Sequence, residues 1–240
     1  MSIVETTLLA REEIAEGTMA FHVAKPPGFG FKPGQAVDLI LSDAPTTDAD
    51  SVRHAFSLVS APFQDDLIVA TRMRDSKFKR SLKALAIGAS VKLDGPFGSL
   101  TLHSNRARAA VFIAGGIGIT PFMSILRQAT HDKLPQQILQ LYSNRRPEDS
   151  AFLVELRQLA EQNRNFRLIA TMTDMAKSSV HWDGETGLVD WQMVKRIGVD
   201  LPTPIYYVAG PPGMVAAMRE TLGRVGIDDD DIRSEEFYGY

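Results

Sequence analysis

Residues 109–121 read AAVFIAGGIGITP, and this stretch decides the fold of the second half of the chain. An apolar run leads into Gly115, Gly116 and Gly118, and an amphipathic segment follows. The pattern predicts a buried parallel strand that turns sharply into a helix, because glycines remove Cβ atoms where the backbone must bend. The start of such a helix offers N–H groups and a positive dipole end to a phosphate. The stretch therefore indicates nucleotide binding, with a glycine-rich turn that holds no ligand as the alternative.

A second segment of the same kind lies near the end of the chain. Residues 204–212, PIYYVAGPP, predict an apolar strand, and residues 213–224 predict a helix behind it. The elements predicted between the two segments are strands at 137–143 and 166–171 and helices at 147–162 and 189–197. Alternating strands and helices predict a doubly wound α/β unit, and open parallel sheets bind ligands along their carboxyl edge.

The N-terminal half has a different pattern of apolar and turn residues. Six short runs with apolar or β-branched alternation are separated by Gly, Pro and Asp turns, which predicts an antiparallel β-barrel. The predicted strands are residues 4–11, 18–24, 35–42, 53–60, 66–73 and 90–94, with one inserted helix at 77–86. The pattern changes between Leu100 and Arg108. We therefore expect a barrel domain at 1–104 and an α/β domain at 105–240.

Length and charge are consistent with two ordinary globular domains. The chain has 240 residues, enough for two domains of usual size. A net charge of −3 gives no electrostatic case for nucleic acid or an anionic membrane, and no window is apolar enough for a membrane span. The first residues are acidic and lack the apolar core of a signal peptide, so we expect a cytoplasmic location.

The sequence does not indicate a cysteine-based site, a metal site or a catalytic triad. The chain has no cysteine, so it cannot form disulfides, thiolate nucleophiles or cysteine-ligated iron–sulfur clusters of its own. The five histidines lack helical ligand spacing, no G-x-S-x-G elbow is present, and the acidic run 228–231 is expected to be a solvated turn. No metal site is predicted. A chain with nucleotide loops and no reactive group of its own is expected to bind an organic cofactor.

Two barrel segments bear on which cofactor this is. Residues 52–62, VRHAFSLVSAP, place a cation, an aromatic ring and a hydroxyl on one strand. Arg53 or His54 is a candidate for a phosphate, Phe56 for a flat ring and Ser57 for a hydrogen bond. The alternative is a barrel strand with a buried phenylalanine. Residues 95–100, GPFGSL, predict a tight turn just before the domain boundary.

Taken in order, these segments resemble the ferredoxin–NADP reductase-like flavoproteins over nearly the whole chain. The matching segments are HAFSL at 54–58, SKFK at 76–79, GPFG at 95–98, GGIGITP at 115–121, AGPP at 209–212 and EEF at 235–237. The resemblance implies that the barrel holds FAD and that the parallel sheet holds NADH or NADPH.

The resemblance also implies roles for barrel residues. Phe56 would pack along the flavin and Ser57 would lie beside flavin N5. The family's pyrophosphate-binding arginine corresponds to position 54, where this chain has His54, and Arg53 stands one residue early. The N–H groups of Phe78, Lys79 and Arg80 are expected to be free and to serve the flavin phosphates in place of the family's Gly-x-x-Ser loop. The implied FAD-binding residues are Arg53, His54, Phe56, Ser57, Leu58, Phe78, Lys79, Arg80, Gly95, Pro96, Gly98, Thr120, Phe237, Tyr238 and Tyr240.

In the second domain, the resemblance places three glycines at the nucleotide pyrophosphate and Thr120 near both rings. The implied NAD(P)-binding residues are Gly115, Gly116, Gly118, Ile119, Pro121, Ser143, Asn144, Arg145, Gly210, Pro211 and Met214, and the implied catalytic residues are Ser57, Thr120 and Glu235. Arg145 and Arg146 follow the second strand and are expected to clamp a 2′-phosphate, which favours NADPH over NADH. The alternative is that both arginines are merely solvated.

The chain ends in an aromatic tail, EEFYGY at 235–240. One expectation is that Phe237 belongs to the core and both tyrosines cap the sheet edge. The other is that Tyr238 or Tyr240 stacks over the flavin until nicotinamide displaces it.

The resemblance implies an FAD-dependent NAD(P)H oxidoreductase that passes electrons to a separate acceptor, such as ferredoxin, flavodoxin or a small molecule. Its task is to hold nicotinamide C4 against flavin N5 and to exclude water. The alternatives are an FMN-binding reductase component of an oxygenase and a redox-sensing or electron-transfer subunit without turnover. GPFG and the helix start at 78–80 supply enough donors for a pyrophosphate, which favours FAD over FMN.

Overall fold

The computed structural model describes residues 3–41, 52–198 and 200–238. The chain forms two compact units. The first, which we call unit 1, comprises Met1–Thr101 and Thr120–Gln128, and unit 2 comprises Leu102–Ile119 and Ala129–Tyr240.

Unit 1 is built on an antiparallel sheet. Its strands are β1 (Val4–Ala15), β2 (Thr18–Ala24), β3 (Ala36–Leu41), β4 (Arg53–Ser57), β5 (Asp66–Arg72) and β6 (Ser90–Phe97). The strand order is β4-β3-β6-β1-β2-β5, and a bridge between Leu58 and Val69 joins the two ends of the sheet. The predicted antiparallel barrel is thereby confirmed.

One helix, α1 (Lys77–Ala84), is inserted between β5 and β6. Its apolar face brings Phe78 and Leu82 into a core with Phe21, Leu39 and Leu93. This burial fixes the helix against the interior of the barrel, because apolar area removed from water contributes about 25 cal/mol per Å². The helix ends at Ala84 rather than at 86, since Leu85 has already adopted an extended conformation.

Unit 2 is built on a parallel sheet. Its strands are β7 (Ala110–Gly115), β8 (Ile138–Asn144), β9 (Phe166–Met172), β10 (Glu185–Thr186), β11 (Ile205–Gly210) and β12 (Ile232–Glu236). The helices of the chain that follow α1 are α2 (Thr120–His131), α3 (Leu153–Gln162), α4 (Trp191–Gly198) and α5 (Pro212–Arg224). The strand order β10-β9-β8-β7-β11-β12, with parallel pairing throughout, confirms the predicted doubly wound sheet.

Parallel strands bring the ends of β7, β8 and β11 to one edge of the sheet. Gly115 lies beside Ser143 in the register of β7 and β8, and Ala209 lies beside Ala114 in that of β11 and β7. A 3-10 turn at Gly116–Ile119 leads from β7 into α2. The glycine loop and the Gly-Pro-Pro loop are therefore neighbours at the carboxyl edge, where open α/β sheets bind ligands.

The helix predicted at 147–162 is interrupted. A 3-10 turn covers Pro147–Asp149, and α3 begins only at Leu153. Ser150 Oγ donates to the Arg146 carbonyl at 3.0 Å, and Phe152 has a left-handed φ of +60°. A side chain that binds nearby backbone offers the chain an alternative to helix, and this breaks the first turns.

Candidate functional site

Ser57 ends strand β4 and carries an unusual hydroxyl. Its side chain is buried, with 6% exposure, and its Oγ has no hydrogen-bond partner among the described residues. A buried polar group without a partner costs about 1–3 kcal/mol, so such groups in native proteins call for an explanation. A bound ligand that hydrogen-bonds to Oγ would remove the cost.

Aromatic side chains lie on this strand and next to it. The His54 ring stacks on Phe56 with centroids 4.8 Å apart, and Phe78 of α1 lies 5.9 Å from Phe56 and 5.5 Å from His54. Leu58, the next residue after Ser57, is fully buried and forms the bridge to Val69. The structure thus groups the rings of His54, Phe56 and Phe78 in unit 1. Phe56 and Phe78 are 5% and 2% exposed and belong to the barrel core, so the alternative expectation of a buried phenylalanine on this strand is confirmed.

Arg53 points to carboxylates of neighbouring strands. Its guanidinium pairs with Asp38 at 2.5 Å and with Asp94 at 2.7 Å. Hydrogen bonds to these two groups raise the pKa of Arg53 above its ordinary value. The sequence did not indicate these partners, because they lie 15 and 41 residues away on β3 and β6.

The prediction of three free N–H groups at the start of α1 is wrong for two of them. The Ser76 side chain caps the helix and accepts from Lys79 N at 3.2 Å, and the Ser76 carbonyl accepts from Arg80 N at 3.0 Å. Serine is a favoured N-cap residue because its oxygen can accept these otherwise unpaired donors. The Arg80 side chain pairs with Asp75.

Lys79 is buried although it is charged. Its Nζ donates to the Arg72 carbonyl at 2.9 Å, and burial, with Arg74 nearby, lowers its pKa. The side chain therefore joins α1 to the end of β5.

The GPFG segment forms the end of β6 and the turn after it. Gly95 has φ +148°, and a Cβ there would lie 3.1 Å from Val37 Cγ1 and 3.2 Å from the Ala36 carbonyl. This close approach of β6 to β3 needs a glycine. Pro96 continues the strand, and Gly98 follows with φ +94°.

The glycines after β7 have different surroundings. A Cβ at Gly118 would lie 2.2 Å from the Ala209 carbonyl oxygen, and one at Gly115 would lie 2.4 Å from Met214 Sδ. These two glycines allow the turn to pack directly on β11 and on the start of α5. Gly116 differs, since it has φ +54° and nothing within 4 Å of its Cβ position. Gly116 is thus the glycine with open space for a ligand.

The loop after β11 completes this part of unit 2. Gly210 has φ +155°, and its Cβ position lies 2.9 Å from Met214 Sδ. Pro211 precedes α5 and accepts from Met214 N at 2.9 Å. Ile119 is buried in the turn. Thr120 and Pro121, which already belong to unit 1, begin α2, and Thr120 is buried.

The end of β8 carries a second unsatisfied polar group. Asn144 is 6% exposed, and its Nδ2 has no partner within the described ranges. Ser143 precedes it and Arg145, which is exposed, follows. Arg146 instead binds the buried Asp149 carboxylate at 3.0 and 3.1 Å. The predicted clamp of two arginines is therefore reduced to one, because Arg146 is already bound to a buried partner.

Glu148, which follows the two arginines in the sequence, is also occupied. Its carboxylate accepts from Ser178 Oγ at 2.9 Å and from Ser179 N at 2.8 Å. A hydrogen bond from its own backbone N–H and those from the two serines lower its pKa to about 2. These hydrogen bonds to the Glu148 carboxylate join the segment after β9 to the turn after β8.

The tail of unit 2 is described as far as Tyr238. Burial raises the pKa of the Glu235 carboxyl, and Glu235 lies beside Ala209 in the register of β12 and β11. Phe237 N donates to the Gly210 carbonyl at 2.9 Å. Tyr238 is 68% exposed and its hydroxyl donates to Glu236. Tyr240 lies outside the described residues.

Among the described residues, no three His, Asp or Glu side chains are grouped so as to hold a metal ion. The helices found within those ranges are all too short or too polar to cross a bilayer.

Comparison with known proteins adds a family. Residues 112–220 match the family model of the oxidoreductase NAD-binding domain. The chain is 27% identical over 241 aligned residues to the propane 2-monooxygenase reductase component of Rhodococcus jostii, covering 98% of this chain and 63% of the relative. It is 28% identical to NADH-cytochrome b5 reductase 1 of Coccidioides immitis, covering 81% of this chain and 61% of the relative. The chain thus spans about three fifths of the length of these curated relatives.

Solved structures share the fold. A ferredoxin NADP+ reductase from Neisseria gonorrhoeae with bound FAD and NADP has a TM-score of 0.80 at 22% identity, with 98% of each chain covered. The FAD/NAD-binding domain of a nitric oxide dioxygenase from Vibrio cholerae has a TM-score of 0.82 at 19% identity, covering 97% of this chain and 98% of that one. At these identities the likeness shows the fold. Residues 112–220 thus match the oxidoreductase NAD-binding domain family, and the chain as a whole is similar in sequence and in fold to ferredoxin–NADP reductase-like proteins.

Proposed function

We propose that the chain is an FAD-dependent NAD(P)H oxidoreductase that passes electrons to a separate acceptor protein or small molecule. The observation that carries this proposal is the buried Ser57 hydroxyl without a hydrogen-bond partner, at the end of the strand that also carries the stacked rings of His54 and Phe56. A ligand that hydrogen-bonds to Ser57 Oγ would satisfy this group. The domains would be an FAD-binding barrel at 1–104 and an NAD(P)-binding domain at 105–240.

The residues of unit 1 fit a flavin. When bound, FAD would supply the hydride acceptor, chemistry that no side chain of this chain offers. Phe56 would contact the ring, Ser57 Oγ would donate to or accept from ring nitrogen N5, and the turn at Gly95 and Gly98 would lie along the phosphates. Phe78 would support the rings from α1.

His54 is the better candidate for the flavin phosphates than Arg53. The Arg53 guanidinium is engaged by Asp38 and Asp94, whose negative charges would also oppose a phosphate close by. His54 lies on the same side of β4 as Phe56, since residues two apart on a strand share a face. His54 would therefore take the position that the family gives to arginine.

The residues of unit 2 fit a nicotinamide nucleotide. Gly116 leaves open space at the carboxyl edge of the sheet, and the buried Asn144 Nδ2 supplies a donor without a partner. The wall of this nucleotide site would be formed by Gly115, Gly118, Gly210 and Met214. The Glu235 carboxyl would hold a proton near the nicotinamide end of the nucleotide.

Arg145 is the guanidinium available for a 2′-phosphate. We expect Arg145→Ala to raise KM for NADPH about 10-fold, since one charge-assisted hydrogen bond contributes about 1.5 kcal/mol. KM for NADH should change little, because NADH has no 2′-phosphate. Steady-state kinetics with both nucleotides measure this, and equal effects on both would contradict the role. Arg146→Ala is the comparison variant, and it should lower stability through the loss of the Asp149 pair.

The burial of the Glu235 carboxyl can be tested through the pH dependence of the protein's stability. Because its folded pKa is raised, the native state holds a proton that the unfolded state releases, so stability falls as pH rises above the unfolded value. We expect Glu235→Gln to gain melting temperature relative to the native protein at pH 8 but not at pH 4. Thermal unfolding across this range measures the difference. A Glu236→Gln variant, changed at the exposed neighbour, should show no such trend.

The oxygenase alternative has one observation in its favour. Several of the relatives are named as reductase components of propane 2-monooxygenase. The electron acceptor of this chain would then be an oxygenase component, reached directly or through an iron–sulfur carrier, because the 240 residues contain no cysteine for such a cluster.

Three measurements test the proposed function. Extraction of the flavin should give FAD, and FMN alone would exclude the main proposal. Anaerobic addition of NADPH or NADH should bleach the yellow protein. A panel of one- and two-electron acceptors should then restore the colour, and a protein that neither nucleotide bleaches would be a binding module without turnover.

A further inference from the structure

One carboxylate of unit 2 joins the turn after β8, residues 145–149, to the loop after β9, residues 173–180. We call these segments the β8 turn and the β9 loop. We propose that this carboxylate, Glu148, is a positioning residue that holds Arg145 in the direction in which it binds the 2′-phosphate of NADPH. The inference rests on the proposed function, which assigns Arg145 to that phosphate. It adds a residue that determines the preference between NADPH and NADH.

The main chain of the two segments continues the pairing of their strands. The register of β8 and β9 ends with Asn144 beside Met172. Past that point, the Asn144 carbonyl accepts from Thr173 N at 2.9 Å and the Arg145 carbonyl accepts from Asp174 N at 2.8 Å. The backbone of Arg145 is therefore held by the β9 loop. Its guanidinium is exposed and forms no ion pair within the described ranges, so it is available to a ligand.

The Glu148 carboxylate ties the rest of the β8 turn to the same loop. Its Oε1 accepts from Ser179 N at 2.8 Å and from Ser179 Oγ at 3.1 Å, and its Oε2 accepts from Ser178 Oγ at 2.9 Å. Hydrogen bonds to an ionised acceptor are about twice as strong as neutral ones. The pKa of Glu148 is about 2, so the group keeps its charge at every pH at which nucleotide kinetics are measured.

The neighbouring charged side chains do not make the same connection. Arg146 binds Asp149 within the β8 turn at 3.0 and 3.1 Å and reaches the β9 loop with a long hydrogen bond of 3.5 Å to the Lys177 carbonyl. The Lys177 ammonium pairs with Asp174 inside the β9 loop at 2.7 Å. Without Glu148, the β8 turn would keep its internal ion pair but lose the charged hydrogen bonds that attach it to the loop.

The loss would affect the two nucleotides differently. Asn144 is buried and is the last residue of β8, so its side-chain donor is held by the sheet. Arg145 is the first residue beyond the strand, and its direction depends on the β8 turn. In a looser turn the guanidinium samples more positions, and ordering it on a ligand then costs conformational entropy. NADPH requires this ordering through its 2′-phosphate, whereas NADH has no such group.

A set of matched variants tests the proposal in the FAD-loaded full chain. The test variants are Glu148→Gln and Glu148→Gln/Arg145→Ala, with Arg145→Ala as reference. The control is Glu161→Gln, which removes the same charge from an exposed residue of α3. Steady-state kinetics give KM for NADPH and NADH. Calorimetry gives Kd for adenosine 2′,5′-bisphosphate and for adenosine 5′-monophosphate, two probes that differ by the 2′-phosphate and need no turnover.

We expect Glu148→Gln to raise KM for NADPH and Kd for the bisphosphate about 3- to 10-fold, up to but not beyond the effect of Arg145→Ala. KM for NADH, Kd for the monophosphate, kcat and flavin content should change less than about twofold, as should all values in Glu161→Gln. In the Arg145→Ala background, Glu148→Gln should add less than about twofold, because two residues that act through one contact are not additive. Ser178→Ala, which keeps the charge of Glu148, should act in the same direction and decides the question if Glu148→Gln does not fold.

The proposal is overturned if Glu148→Gln raises KM for both nucleotides equally, if it behaves like Glu161→Gln, or if its full effect persists when Arg145 is alanine. It is also overturned if the native protein binds the bisphosphate no more tightly than the monophosphate, a result that leaves an NADH-dependent reductase possible. If neither nucleotide bleaches the native protein, the proposed function fails, while the two dissociation constants still decide the role of Glu148.

Discussion

The Ser57→Ala variant should reduce its flavin about 5- to 150-fold more slowly than the native protein. This range corresponds to the loss of about 1–3 kcal/mol, the contribution of one hydrogen bond to a group that gains charge in the transition state. Ser57 is suited to this role because its buried Oγ has no competing partner in the described structure. Anaerobic stopped-flow absorbance at the flavin band, with saturating NADPH, measures the rate.

Two controls separate chemistry from structure in that experiment. Ser60 is also buried, but its Oγ already accepts from Ile68 N at 3.0 Å. We expect Ser60→Ala to lower stability and to leave the rate of flavin reduction unchanged. Ser57→Ala should instead keep its flavin and leave the apo protein as stable as before or more so, since an unsatisfied group is removed. A full reduction rate in Ser57→Ala would make the residue structural only.

The two folds could be predicted from the sequence because they depend on local periodicity. Apolar runs ended by Gly or Pro at 109–121 and 204–212 correspond to β7 and β11, and the alternating runs before residue 100 correspond to the barrel. The error at 147–162 has a local cause as well. Ser150 binds the backbone and Phe152 is left-handed, and neither property is visible in a helical pattern of apolar residues.

The candidate site was less accessible to sequence reasoning because its electrostatics are long-range. Arg53 and Asp38 lie on adjacent strands but are separated in the sequence. Nothing near HAFSL therefore indicates that the guanidinium of Arg53 is already paired with a carboxylate. The occupied N–H groups of α1 are a different case. Ser76 stands three residues before Lys79, which is a common capping arrangement and could have been read from the sequence.

The glycine loop gives the second large expected effect, at Gly118. A Cβ there would lie 2.2 Å from the Ala209 carbonyl oxygen and 2.7 Å from the Gly210 Cα, and both are backbone atoms that cannot rotate away. Gly118→Ala should therefore push the 3-10 turn off β11, at a cost of about 1–3 kcal/mol or more for overpacking. We expect KM for both nicotinamide nucleotides to rise more than about 10-fold. The displaced loop would bind the nucleotide less well, and a loss of about 1.4 kcal/mol in binding free energy already corresponds to a tenfold change.

Two further glycines serve as graded comparisons for Gly118→Ala. Gly213, in the first turn of α5, has nothing within 4 Å of its Cβ position, so Gly213→Ala should be neutral or stabilise by up to about 1 kcal/mol. Gly116 also has open space but a φ of +54°, so Gly116→Ala should cost about 1–2 kcal/mol of backbone strain without a clash. Thermal unfolding and nucleotide KM should rank the variants in the order Gly118, Gly116, Gly213. Flavin content should stay constant in all three, since none of the three glycines is among the residues assigned to FAD. If Gly118→Ala behaved like Gly213→Ala, the close packing of this turn on β11 would not be what shapes the nucleotide site.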